Sequence, residues 1–144
     1  MNISDYHIRI ANIDDIAIIA KHDTHISEVL IADKVTRGEI VVVYDGNKFI
    51  GWLRYGLFWD IVPFMNMLEI LPEYQGKGLG RKLVEFWHSE MQAKGCTIVM
   101  TSTQQNENAQ HFYNALGYVG VGGFVQSVGV VTGESYEVMM MKEL

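Results

Sequence analysis

Cysteine is nearly missing from this chain. Cys96 stands alone among 144 residues, which excludes an intramolecular disulfide and a zinc knuckle. Basic residues are also scarce. Eleven Lys and Arg face 17 Asp and Glu, for a formal net charge of −6. A general nucleic-acid binder needs a basic face, so that class is set aside, whereas an acidic surface suits a cationic or amine ligand. No apolar run is long enough to span a bilayer, and the N-terminal residues lack a signal-peptide pattern. A reduced cytoplasmic setting, away from membranes, is therefore the expectation. Repeats, linkers and low-complexity tracts are absent too, so one domain over residues 1–144 is the economical reading. With 49% hydrophobic and 19% charged residues, that domain has enough apolar material for a packed core.

Periodicity divides the chain into elements. Tyr6–Ile10 reads as a first strand, and Asn12 or Asp14 caps a helix running to about His22. Ser27 caps a second helix that ends near Arg37–Gly38. Ile40–Tyr44 is β-branched, Asp45–Gly46–Asn47 is a hairpin turn, and Phe49–Phe58 and Pro63–Leu71 are two more strands joined near Trp59–Asp60. From about Gly78 to Lys94, Leu79, Leu83, Trp87 and Met91 recur every four residues as the apolar stripe of a long helix. Thr97–Thr101 is a strand, Asn106 opens a short helix ending before Gly117, and Tyr118–Val125 and Tyr136–Met141 are closing strands.

Between a strand and the long helix lies Gln75–Gly76–Lys77–Gly78–Leu79–Gly80. Alternate glycines let the backbone turn tightly and approach a ligand closely. A helix N-terminus presents unpaired N–H groups and the positive end of its dipole. Together they form a seat for a phosphate or pyrophosphate, with Lys77, Arg81 and Lys82 adding positive charge. The run is neither a Walker loop nor Gly-x-Gly-x-x-Gly, which argues against a nucleotide hydrolase or a dinucleotide enzyme.

A second segment is Asn106-x-x-Ala109-x-x-Phe112-Tyr113-x-x-x-Gly117-Tyr118. In order and spacing the two segments resemble the GNAT family of acetyl-CoA-dependent N-acetyltransferases. That family carries Arg/Gln-x-x-Gly-x-Gly/Ala and then Asn-x-x-Ala-x-x-Phe-Tyr-x-x-x-Gly-Phe. Tyr118 here replaces the common Phe. The resemblance is strong over residues 62–118 and extends to residues 1–60 only in element order. It implies an α+β fold: a mixed, mostly antiparallel twisted sheet of about seven strands, flanked by about four helices, with splayed central strands. It also implies acetyl-CoA as cofactor. Gln75, Gly76, Lys77, Gly78, Leu79, Gly80 and Arg81 would hold the pyrophosphate, and the strand residues Met67, Leu68 and Ile70 the pantetheine arm. Asn106 would hydrogen-bond that arm, and Tyr113 would both border the cofactor and protonate the leaving thiolate. The acceptor would be a small-molecule or peptide amine that attacks directly within a ternary complex.

The group that takes the amine's proton stays open. Some family members place a Glu five residues before the Asn, where this chain has Thr101. Glu69 is the nearest carboxylate on the central strand; Asp60, Glu39, His111 and a water chain are the alternatives. Bland roles compete for several of these residues. Tyr113 can pack beside Phe112, Asn106 can simply cap its helix, and His22 with His25 lacks the further ligands a metal needs. Trp59–Asp60, the first two helices (Asp14–Arg37) and the loop Gln126–Gly133 are the expected sources of acceptor contacts. Two rival functions remain: a non-catalytic acyl-CoA-binding module, and O-acyl or longer-acyl transfer on the same fold. The assembly is read as a monomer or a homodimer.

Overall fold

The computed structural model describes residues 5–105, 108–125 and 136–144. Among them the chain forms β1 (Tyr6–Ile10), α1 (Ile16–His22), α2 (Glu28–Thr36), β2 (Ile40–Asp45), β3 (Lys48–Phe58) and β4 (Val62–Ile70). Then come α3 (Leu79–Ala93), β5 (Ile98–Gln104), α4 (Ala109–Ala115), β6 (Val119–Val125) and β7 (Tyr136–Glu143). Local chemistry sets many of the boundaries. Asn12 and Asp15 form a reciprocal capping box on the short 3₁₀ turn that leads into α1. Ser27 Oγ accepts the Leu30 N–H to start α2.

The strands form one sheet in the order β1-β2-β3-β4-β5-β7-β6. Every neighbouring pair is antiparallel except β4 and β5. That parallel pair holds for only two positions, Phe64 opposite Met100 and Met65 opposite Thr101. Beyond them the two strands part, as the resemblance implied. The Thr101 hydroxyl donates to the Met65 carbonyl at 3.0 Å and fastens the vertex of the split. On its other edge β4 skips one register position against β3: Arg54 faces Met67 while Tyr55 faces Met65. The extra residue, Asn66, is a β-bulge that bends the strand at the vertex.

Each face of the sheet carries its own core. Leu79, Leu83, Val84, Trp87 and Met91 of α3 pack with Tyr113 of α4 and Leu116 just after it against Val41, Val43, Leu53 and Met65. On the opposite face, Ile19 of α1 and Ile31 of α2 pack against Ile40, Val42, Phe49 and Trp52. Strand β2 is therefore covered on both sides, which is why it reads as the unbroken apolar run Ile40–Val43 rather than an alternation. Buried ion pairs tie α1 and α2 down. Asp23, 1% exposed, accepts from Arg54 Nε at 2.8 Å and Trp52 Nε1 at 3.2 Å. Buried Lys34 donates to the Tyr55 carbonyl at 2.6 Å and to Glu39 at 3.2 Å. Among the described residues no helix is long and apolar enough to cross a membrane.

Candidate active site

The split between β4 and β5 opens a cleft of about 280 Å³ that reaches both faces of the sheet. From the α3/α4 face it is lined by Leu68, Thr103, Ala109 and Tyr113, and from the α1/α2 face by Asn66, Met67, Ser102 and Glu137. The bulge at Asn66 explains this division. It puts Met65, Leu68 and Ile70 with the α3 core and Met67 with the α1/α2 core.

The glycine loop closes one end. Gly76 (φ +77°) and Gly78 (φ +79°) both adopt the left-handed conformation, and a Cβ on either would meet nothing within 4 Å. The loop thus bends around open space. Gly78 is the N-cap of α3; no side chain caps the helix and no acid stands in its first turn. The Lys82 N–H bonds back to the Gly78 carbonyl at 3.1 Å, so the N–H groups before it lie outside the helical ladder. Gly80 brings the loop up to the cleft, since a Cβ there would stand 3.7 Å from Phe112 and 4.0 Å from Leu68. This donor set, unneutralised by any local acid, fits an anionic pyrophosphate. Lys77 and Arg81 are exposed beside it, Arg81 pairing with Glu85 at 3.4 Å. Leu79 offers only its backbone, because its side chain is in the core. The Gln75 side chain turns back and donates to the Ile70 carbonyl at 2.8 Å, bracing the loop on β4.

Tyr113 is 8% exposed and borders the cleft, its ring 5.1 Å from Phe112 and 5.5 Å from Tyr118. Tyr118 is buried and bonds His88 Nε2 at 2.8 Å. Burial pushes the Tyr118 phenol up and the His88 imidazole down to about 4, so both are neutral at pH 7. Among the described residues the helix carrying Tyr113 begins at Ala109. Asn106, expected to open that helix two turns before Tyr113, lies outside them.

The expected proton acceptors are scattered. Glu69 is exposed and lines a separate hollow of about 200 Å³ with His22, His25, Trp52, Met67 and Leu71. It shares Met67 with the cleft but does not line it. Glu39 is bonded to Lys34 and Arg37, and His111 is an exposed residue of α4. Trp59 and Asp60, both at positive φ, form the tight turn between β3 and β4 and do not line the cleft; Phe64 of β4 does. The loop Gln126–Gly133 lies outside the described residues. Four lining residues went unread in the sequence: Asn66, Ser102, Thr103 and Glu137. The only hint was local, since Glu137 is the one charged residue in the apolar stretch Tyr136–Met141.

Comparison with known proteins agrees with this geometry. A family model described as the acetyltransferase (GNAT) family matches residues 9–118. The ribosomal-protein-S18-alanine N-acetyltransferase of Escherichia coli superposes with a TM-score of 0.80 at 18% identity, covering 96% of this chain and 93% of that one. The PaiA N-acetyltransferase of Thermoplasma acidophilum, solved with coenzyme A, gives 0.73 at 15% identity, covering 97% and 99%. Ard1 of Thermoplasma volcanium gives 0.81 at 14% identity, covering 96% and 97%. No curated protein matches the chain in sequence.

Proposed function

The chain belongs to the GNAT family of acetyltransferases, and from that membership we propose that it moves the acetyl group of acetyl-CoA to a primary amine of a small molecule or peptide. One observation carries the reading: a cleft through the sheet with the glycine-lined, uncapped N-terminus of α3 at one end and a tyrosine on its wall. Coenzyme A was solved with a structural neighbour of the same fold. When bound, acetyl-CoA supplies an acyl thioester open to attack by a neutral amine.

The amides of residues 75–80, with Lys77 and Arg81, hold the pyrophosphate. Met67, Leu68 and Ile70 would pair through their backbones with the amide-bearing arm, where β4 has no β5 partner; the sequence motif adds Asn106 to that set. The bulged backbone of β4 offers an N–H to polarise the acyl oxygen. Tyr113, on the cleft wall, would give its hydroxyl proton to the departing sulfur. Glu69, beside His22 and His25, draws a cationic acceptor toward the α1/α2 face. A cytoplasmic monomer, or a homodimer built on the uncharged edge strand β6, fits the single free thiol and the sheet order.

Calorimetric titration with coenzyme A tests the seat. Wild type should bind, and Gly78→Glu should lose at least about a hundredfold in affinity, because it puts bulk and negative charge where the pyrophosphate sits. Gly78→Ala is the control, carrying only the roughly 1–2 kcal/mol cost of a side chain at positive φ. Equal affinity of folded Gly78→Glu and wild type would remove the phosphate seat.

A further inference from the structure

We propose that Glu137 holds the ammonium of the acceptor and takes its proton, and that the acceptor is a primary amine bearing a hydrophobic substituent. The inference rests on the acetyltransferase reading above and assigns what that reading leaves open. Among the described residues lining the cleft, Glu137 is the only acid. It lies across from Gln104, at the end of β5 where the sheet is already split. Ser102 Oγ donates to its Oε2 at 2.6 Å and fixes the carboxylate in place. Tyr113 lines the same cleft from the opposite face, so the acid that serves the leaving sulfur and the base that serves the incoming nitrogen flank one passage. Other acids of this face have different duties. Asp23 is bonded to Arg54 and Trp52, Asp15 to Arg9 and Tyr44, and Glu69 lines its own hollow. Thr101, at the position where some relatives carry a glutamate, spends its hydroxyl on the Met65 carbonyl.

The substituent is read from the groove that continues the cleft. A second depression of about 280 Å³ shares Phe64, Asn66 and Ser102 with it. Its other walls are apolar, formed by Leu57, Phe58, Phe124 and Met139, and none of its described lining residues is charged. Phe58 and Phe64 stack with centroids 6.1 Å apart, and Phe124 stands opposite Glu137 across β6 and β7. An ammonium beside Glu137 therefore has an aromatic trough next to it. The proton step balances simply: R–NH₃⁺ and the Glu137 carboxylate become R–NH₂ and the carboxylic acid. The acid then returns its proton to bulk water, leaving the neutral nucleophile in the cleft.

Binding to the coenzyme A-loaded protein tests this without turnover, using 2-phenylethylamine, ethylamine and the neutral isostere 2-phenylethanol as probes. Wild type should bind 2-phenylethylamine at least tenfold tighter than ethylamine, and Phe64→Ala should erase that preference. Glu137→Gln should weaken 2-phenylethylamine at least tenfold while leaving 2-phenylethanol and coenzyme A unchanged. A merely structural Glu137 would move all three together. Unchanged amine binding by Glu137→Gln, or none by wild type, would overturn the inference. Retained coenzyme A binding in either case would leave the acetyltransferase reading standing.

Discussion

Tyr118 differs by one hydroxyl from the phenylalanine common at its motif position, and that hydroxyl has a partner. It bonds His88 Nε2 at 2.8 Å beneath the long helix, and its ring supports Tyr113. Without the bond a buried phenol would cost about 1–3 kcal/mol. Burial holds His88 at about 4, whereas an unfolded imidazole titrates near 6.5. Between those values the unfolded chain binds the extra proton. This residue's contribution is therefore complete above about pH 6.5 and is lost progressively as pH falls toward 4. At pH 5 the loss is on the order of 1–2 kcal/mol. Urea midpoints at pH 7 and pH 5 check this. His88→Gln, which keeps a partner for Tyr118, should flatten that part of the slope, and an unchanged slope would assign the pH dependence elsewhere.

At the scale of elements, α1 and α2 are held by charges that lie far apart in sequence. Asp23 at the end of α1 meets Arg54 on β3 across 31 positions, both nearly fully buried. Asp23→Ala would strand the guanidinium in the core, a loss of about 3–5 kcal/mol in chemical denaturation. Adding Arg54→Met should recover much of it, and a variant as stable as wild type would mean the pair does not pin the helix. Such pairs mark where sequence reading stops. The stripe Leu79, Leu83, Trp87, Met91 repeats with the helical period, and all four residues face the core. Strand β2 announces itself through β-branched residues. Nothing local says that Ser102 and Glu137 will meet, because strand pairing between β5 and β7 is a long-range event. The bulge at Asn66 is likewise unmarked in sequence, and it decides which β4 side chains face which core. Trp59, expected to supply acceptor contacts, stands outside both the cleft and the groove. Its tight turn leaves the tryptophan 78% exposed, while Phe58 and Phe64 face the groove.

For the whole molecule the decisive feature is a sheet that is intact on both flanks and open in the middle. Two separate cores keep the halves rigid, one under α3 and α4 and the other under α1 and α2. The cleft is the passage between the two faces. A cofactor arm from the glycine-loop side and an amine from the other can meet there without either crossing the other's path. On the proposed mechanism, such an arrangement would gain rate by holding two reactants in one geometry. The most direct test is acetyl-CoA-dependent thiol release with primary amines and N-terminal peptides, run on wild type and Tyr113→Phe. The expected result is turnover with at least one amine class by wild type, and a loss of about 10²–10⁴ in kcat for Tyr113→Phe with coenzyme A affinity retained. Coenzyme A binding without turnover on any amine, or equal turnover by the two proteins, would contradict the account.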